Sequence, residues 1–139
     1  MKNNTVPSVA ENPFYGDDPF AIHNQFELES VACEYARVSM QVAPHHKNHF
    51  GAVHGGAIFA LADFALAHAC NSTASNGVGL QVSINYLANT SAGKLVAECR
   101  RISDHNRINT YITEVKDQNG QLMANIQALS YRLSRSPKT

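Results

Sequence analysis

The chain has 139 residues, 44% of them hydrophobic and 16% charged, with 11 basic residues set against 11 acidic ones. That length suits one domain with a real core, and the balanced charge without any basic run excludes the electrostatic footprint of a nucleic-acid binder. No apolar segment reaches membrane-spanning length, because Asp63, His68 and Asn71 interrupt the best candidate. Residues 1–12 are polar, contain Pro7 and lack the apolar core of a signal peptide, so a mobile tail is expected there. Residues 13–26 carry the weak pattern of a short helix covering one edge. Residues 1–25 are therefore set apart as tail and short helix, and residues 26–135 as the folded domain. Strand signals begin near Cys33, where Val38, Met40 and Val42 alternate with Ser39 and Gln41. Pro44 stops that strand, and a histidine-rich loop follows to residue 54.

From Gly55 to about Asn71 the period changes. Ile58, Leu61, Ala62, Ala65, Leu66 and Ala69 follow helical spacing, and the opposite face is also small or apolar, which predicts a helix buried nearly all round. After Gly79 only strands appear. Leu80, Val82, Ile84 and Tyr86 alternate with Gln81, Ser83 and Asn85, and three further alternating runs follow around Leu95, Tyr111 and Leu122. Turn signals at residues 89–93, 103–106 and 117–120 separate them. The reading is one strand, one long helix, then four strands in meander: an α+β fold with a curved antiparallel sheet wrapped around one central helix. Cys33, Cys70 and Cys99 are odd in number and form no C-x-x-C pair, which fits reduced thiols in a cytoplasm.

The chemistry concentrates at the loop-to-helix junction. Asp63 is the only Asp or Glu between Glu34 and Glu98, and it sits in the most apolar part of the chain. A carboxylate there costs free energy unless something needs it. Eight residues upstream, Gly55 and Gly56 open the helix. Helix N-termini present free N–H groups and partial positive charge, and glycine lets a ligand approach the backbone. Polarising N–H groups and a buried acid are two parts of an acyl-transfer site. His45, His46, His49 and His54 match no familiar zinc spacing, so hydrogen-bonded or solvated histidines are expected and no metal. Cys70 at the end of a buried helix reads as core rather than as a nucleophile.

The run N-x-x-G-x-x-H-G-G followed by L-A-D-x-A, over residues 48–65, resembles the hotdog-fold acyl-CoA thioesterases of the phenylacetate-pathway (PaaI) group. Residues 69–72, the strand at 82–86 and the turn at 105–108 are similar as well, and the resemblance covers roughly residues 26–133. It implies a hotdog fold, hydrolysis of an acyl-CoA to free acid and CoA, and no cofactor. On that reading the Gly55 N–H polarises the thioester, Asp63 is general base or nucleophile, Asn48 orients water or ester, and His54 fixes the loop. Relatives often carry Ser or Thr early on the strand after the helix; the matching position is Gln81, with Ser83 two residues on. Gly56, Asn85 and Tyr86 are expected around the substrate. Arg100, Arg101, His105, Asn106 and Arg107 are candidates for the CoA phosphates, since forked guanidinium groups suit phosphate. Phe59, Phe64, Leu80 and Leu87 are candidates to line an apolar tunnel for an aromatic or short-to-medium acyl group.

Geometry adds a partner. Eight helical residues separate Gly55 from Asp63 by about 12 Å, too far for one carbonyl carbon to adjoin both. Two antiparallel helices across a two-fold axis bring Gly55 of one copy to Asp63 of the other, so a homodimer with shared sites is expected; the resemblance implies a dimer of dimers. Two other classes remain open: a non-catalytic acyl-CoA-binding module, and a hydroxyacyl-thioester dehydratase using His54.

Overall fold

The computed structural model describes residues 18–73 and 75–135. The expected tail and the first part of the expected short helix lie outside them. The described chain runs α1 (Pro19–His23), β1 (Phe26–Ala32), β2 (Tyr35–Gln41), a 3-10 turn (Pro44–His46), α2 (Gly55–Cys70), β3 (Ser75–Tyr86), β4 (Lys94–His105), β5 (Ile108–Asp117) and β6 (Leu122–Arg135). All strand pairs are antiparallel in one six-stranded sheet of order β1-β2-β4-β5-β6-β3. The sheet packs its inner face on α2 through Val38, Met40, Leu95, Ala97, Tyr111, Val115, Ala124 and Ile126. This is the hotdog arrangement.

Three expectations need correction. First, β1 was not foreseen; only Phe26 and Leu28 mark its buried face, while Glu27 and Glu29 dilute the strand signal. Second, the four later strands are not a simple meander. Residues 87–93 make no hairpin; Leu87 and Ala88 N–H groups bond to the Met123 carbonyl, and the Val53 N–H bonds to the Thr90 carbonyl. That segment crosses the end of the sheet, so β3 pairs with β6 and becomes an edge. Third, α2 is not buried all round. Ile58, Leu61, Ala62, Ala65, Leu66 and Ala69 form the core stripe as read, but Gly56 and Asp63 are exposed on the opposite side. Within β3 a bulge between Gly79 and Gln81 throws Leu80 out of the alternation, leaving it 57% exposed.

The C-terminal end of α2 is latched twice. The Asn71 Nδ2 donates to the carbonyls of Ala67 and Gly77, and its Oδ1 accepts from the Gly77 N–H, which ties the helix to β3. The buried Ser72 hydroxyl donates to the Ala69 carbonyl and accepts from the Glu34 N–H, both at 2.7 Å. Glu34 sits in the β1–β2 turn at φ +57°. Its carboxylate receives the Tyr111 hydroxyl and faces Arg101 at 3.6 Å. Ser72→Ala leaves the Glu34 N–H without its partner and is expected to cost about 1–3 kcal/mol in urea unfolding; an unchanged midpoint would show that this latch carries no stability.

Candidate active site

The loop before α2 is held by its own backbone. Lys47 and Val53 form a bridge, and Gly51 adopts φ +80°. The Asn48 Oδ1 accepts from the N–H groups of Phe50 and Ala52 at 2.9 and 3.2 Å. Asn48 is thus spent as an acceptor, and its Nδ2 donors are what it can offer to a ligand.

His54 is the N-cap of α2. Its Nδ1 accepts from the Gly56 N–H at 2.8 Å, and its carbonyl accepts from Ala57 and Ile58. Of the first helical N–H groups, Gly55 alone has no acceptor among the described residues. The cap therefore leaves one donor, backed by the helix dipole, pointing out of the helix start. Tyr86 lies against this point from β3: its hydroxyl donates to the Gly55 carbonyl at 3.0 Å. A Cβ on Gly55 would stand 3.2 Å from the Tyr86 ring, so a larger residue here would press on Tyr86 and make it shift. Beside them runs a cleft of about 400 Å³ lined by Asn48, Val53, Gly55, Ile58, Tyr86, Leu87, Ala88 and Asn89.

Asp63 lies two turns along α2 on the exposed stripe with Gly56. Solvent reaches its carboxyl in the single chain, yet the apolar atoms around it push its pKa up, and the nearby charge of Asp18 adds to this. Asp18, the N-cap of α1, was not foreseen as a neighbour of Asp63. Burial pushes the thiols of Cys70 and Cys99 up to about 11 and about 12, which suits core residues and not nucleophiles. His46 is buried and held below the usual histidine value by that burial. Among the described residues no group of three metal-ligating side chains occurs.

Other candidates lie elsewhere. Val82 and Ile84 pack on the core while Gln81, Ser83 and Asn85 face away from α2. Gln81 donates to Ser83, and Asn85 to Asn125. Arg100 is on the outer face, in a charged groove with Arg37, Glu98 and Lys116. Arg101 pairs with Glu34 and Asp104. His105 ends β4, and Asn106 and Arg107 form the β4–β5 turn, where Arg107 donates to the carbonyls of Arg132 and Leu133. Ile108 and Val78 both pair with Tyr131, and Val78 to Tyr86 spans about 26 Å at the usual strand rise. The turn is thus far from Gly55 of its own chain.

Residues 50–124 match the family model of the thioesterase superfamily. The chain is 40% identical over 134 residues to a provisionally named esterase of Archaeoglobus fulgidus, covering 96% of this chain and 86% of that one. It is 28% identical over 120 residues to the acyl-coenzyme A thioesterase PaaI of Escherichia coli, covering 86% of each. The solved structure of that PaaI superposes with a TM-score of 0.83 over 86% of this chain and 88% of the other. A Streptococcus mutans structure bound to acetyl CoA superposes with a TM-score of 0.76 at 27% identity, over 80% of this chain and 90% of the other. The chain belongs to the thioesterase superfamily.

Proposed function

We propose that this protein hydrolyses acyl-CoA thioesters, of small aromatic or short-to-medium acyl groups, at sites shared between two copies of the chain. The observation that carries the proposal is the Gly55 N–H, left free by the His54 cap at the start of a helix whose one acid, Asp63, has a raised pKa. The thioester oxygen accepts from that N–H. Water attacks the carbonyl carbon, Asp63 of the second copy takes its proton, and the oxyanion is held by the helix start. The C–S bond then breaks, and the CoA sulfur receives the proton. Asn48 Nδ2 holds the ester or the water. In the covalent variant Asp63 itself attacks and water opens the anhydride. Single-turnover hydrolysis in heavy-oxygen water tests direct attack, which labels the acid alone: label entering Asp63 overturns it in favour of the anhydride.

The named activity of the E. coli relative and the acetyl-CoA-bound S. mutans structure support a CoA thioester as substrate. His54 Nδ1 is committed to the helix cap, which argues against it as the base of a dehydratase. No helix of the described residues is long and apolar enough to cross a membrane. The free Cys33, Cys70 and Cys99 suit the reducing cytoplasm we assign to it.

Release of free thiol from acetyl-, hexanoyl-, benzoyl-, phenylacetyl- and palmitoyl-CoA tests the proposal. Turnover on one or more supports it; saturable binding of every ester without turnover favours the binding-module reading. His54→Ala is expected to cost about 1 kcal/mol of cap energy and to lower kcat about tenfold or more, because the Gly55 N–H loses its aim. Lower stability with unchanged kcat would make the cap purely structural.

A further inference from the structure

His46 ends the 3-10 turn before α2 and is 1% exposed, so its ring is closed off from substrate. Both ring nitrogens are committed. Nδ1 accepts from the Ala43 N–H at 2.9 Å and so carries no proton, and the Nε2 proton is donated to the Asn24 carbonyl at 2.9 Å. Asn24 is the C-cap of α1, so the ring joins α1 to the loop that leads into α2. The backbone carries the connection further. The His46 carbonyl accepts from the His54 N–H at 2.7 Å. His54 is then held at two points, by its N–H on His46 and by its ring on the Gly56 N–H at 2.8 Å. The ψ of His54, 135°, sets the plane of the next peptide, and that peptide carries the Gly55 N–H.

A protonated ring could not make this set of bonds, because Nδ1 would meet the Ala43 N–H as a second donor. The surroundings keep the ring neutral. Burial lowers its pKa, the bond to Asn24 works in the other direction, and His45, whose ring stands 4.1 Å away, adds to the lowering. The space beside it is lined by Asn24, His45, Lys47 and His54 among others, with no carboxylate there to favour the charged form.

We propose that His46 is a positioning residue for the reaction: as the neutral, Nε2-protonated ring it holds His54 and so aims the Gly55 N–H at the thioester oxygen. The inference rests on the thioester reading above and adds to it a residue that acts only through His54.

Two substitutions divide the ring between them. His46→Asn keeps an acceptor near Nδ1 and loses the bond to Asn24; His46→Gln keeps a donor near Nε2 and loses the bond to Ala43. Each is expected to lower kcat about tenfold with KM within about twofold, since the oxyanion contact matters most in the transition state. Combined with His54→Ala, either is expected to cost less than about threefold more in kcat while still lowering Tm, because the aim it protects is already lost. Unchanged kcat in both single variants, or a full tenfold further loss beside His54→Ala, overturns the role. Nitrogen NMR of the wild type at neutral pH needs no substitution: a bare Nδ1 and a protonated Nε2 on His46 are expected, and a proton on Nδ1 overturns the assignment. Amide exchange separates this role from the thioester reading. In both variants the Gly56 N–H is expected to exchange about tenfold faster, with the Val115 N–H of β5 unchanged. If wild type hydrolyses no ester but Gly56 loosens in this way, hydrolysis fails and the hold of His46 on the helix start stands. If Gly56 exchange is unmoved, that hold is overturned whether or not esters are turned over.

Discussion

Asp63→Asn is expected to remove thioester hydrolysis and, in the same protein, to raise thermal stability. The substitution keeps shape and removes charge. As base or nucleophile, Asp63 acts only when ionised, and its loss is expected to lower kcat/KM about 10²-fold or more. The stability effect follows from the raised pKa, caused first by burial and then by Asp18. A carboxyl whose folded pKa exceeds its unfolded value disfavours the folded state when charged. That penalty is in full force above the folded pKa and disappears as pH falls below the unfolded one. The gain in Tm of the variant should therefore be present at neutral pH and vanish in acid. In the wild type the same shift places the acid limb of the kcat/KM profile above the usual aspartate range, with the rate rising as pH rises. Profiles from about pH 4 to pH 8 for both proteins check this. A variant retaining more than about a tenth of wild-type turnover would remove Asp63 from the chemistry.

Much of the frame was legible because it is local. Ala and Leu at helical spacing from Gly55 onward mark α2, and period-two runs mark β4, β5 and β6, since each periodicity follows from backbone geometry alone. The order of strands is not local. Whether β3 lies beside β4 or crosses to β6 depends on the path of residues 87–93, which is fixed by bonds to Val53 and Met123 far away in sequence. The bulge at Leu80 is a property of the β3–β6 pair and leaves no mark in either strand. The site divides in the same way. Gly55, His54 and Asp63 share one helix and its cap, so their relation was readable. The Tyr86 hydroxyl on Gly55 and the approach of Asp18 to Asp63 both join segments that only folding brings together. Asn48 was singled out by motif, but nothing in its neighbours told that Oδ1 is spent on the loop.

Mixing two inactive variants, Gly55→Val and Asp63→Asn, is expected to restore activity to about one quarter of wild type. Each variant alone damages every shared site. Gly55→Val puts a branched side chain where a Cβ alone already stands 3.2 Å from the Tyr86 ring and displaces the helix start or Tyr86, and Asp63→Asn removes the carboxylate. After random exchange half the dimers are mixed. If Gly55 of one copy works with Asp63 of the other, each mixed dimer has one site with both lesions and one with none. The edge strand β3 is the surface that fits such a pairing. Its outer ladder is open in the single chain, and it exposes Val78 and Leu80 at 44% and 57%. Unpaired edges of this kind invite a further strand. Antiparallel addition of a second β3 sets the Val78 end of one copy beside the Tyr86 end of the other. It thereby carries Arg107, which lies at the Val78 end of the sheet in its own chain, toward the partner's cleft. Native mass spectrometry is to establish that mixed dimers have formed before the assay. With mixed dimers present and no activity regained, Gly55 and Asp63 would have to act within one chain, and the 12 Å between them along α2 would need a different chemistry.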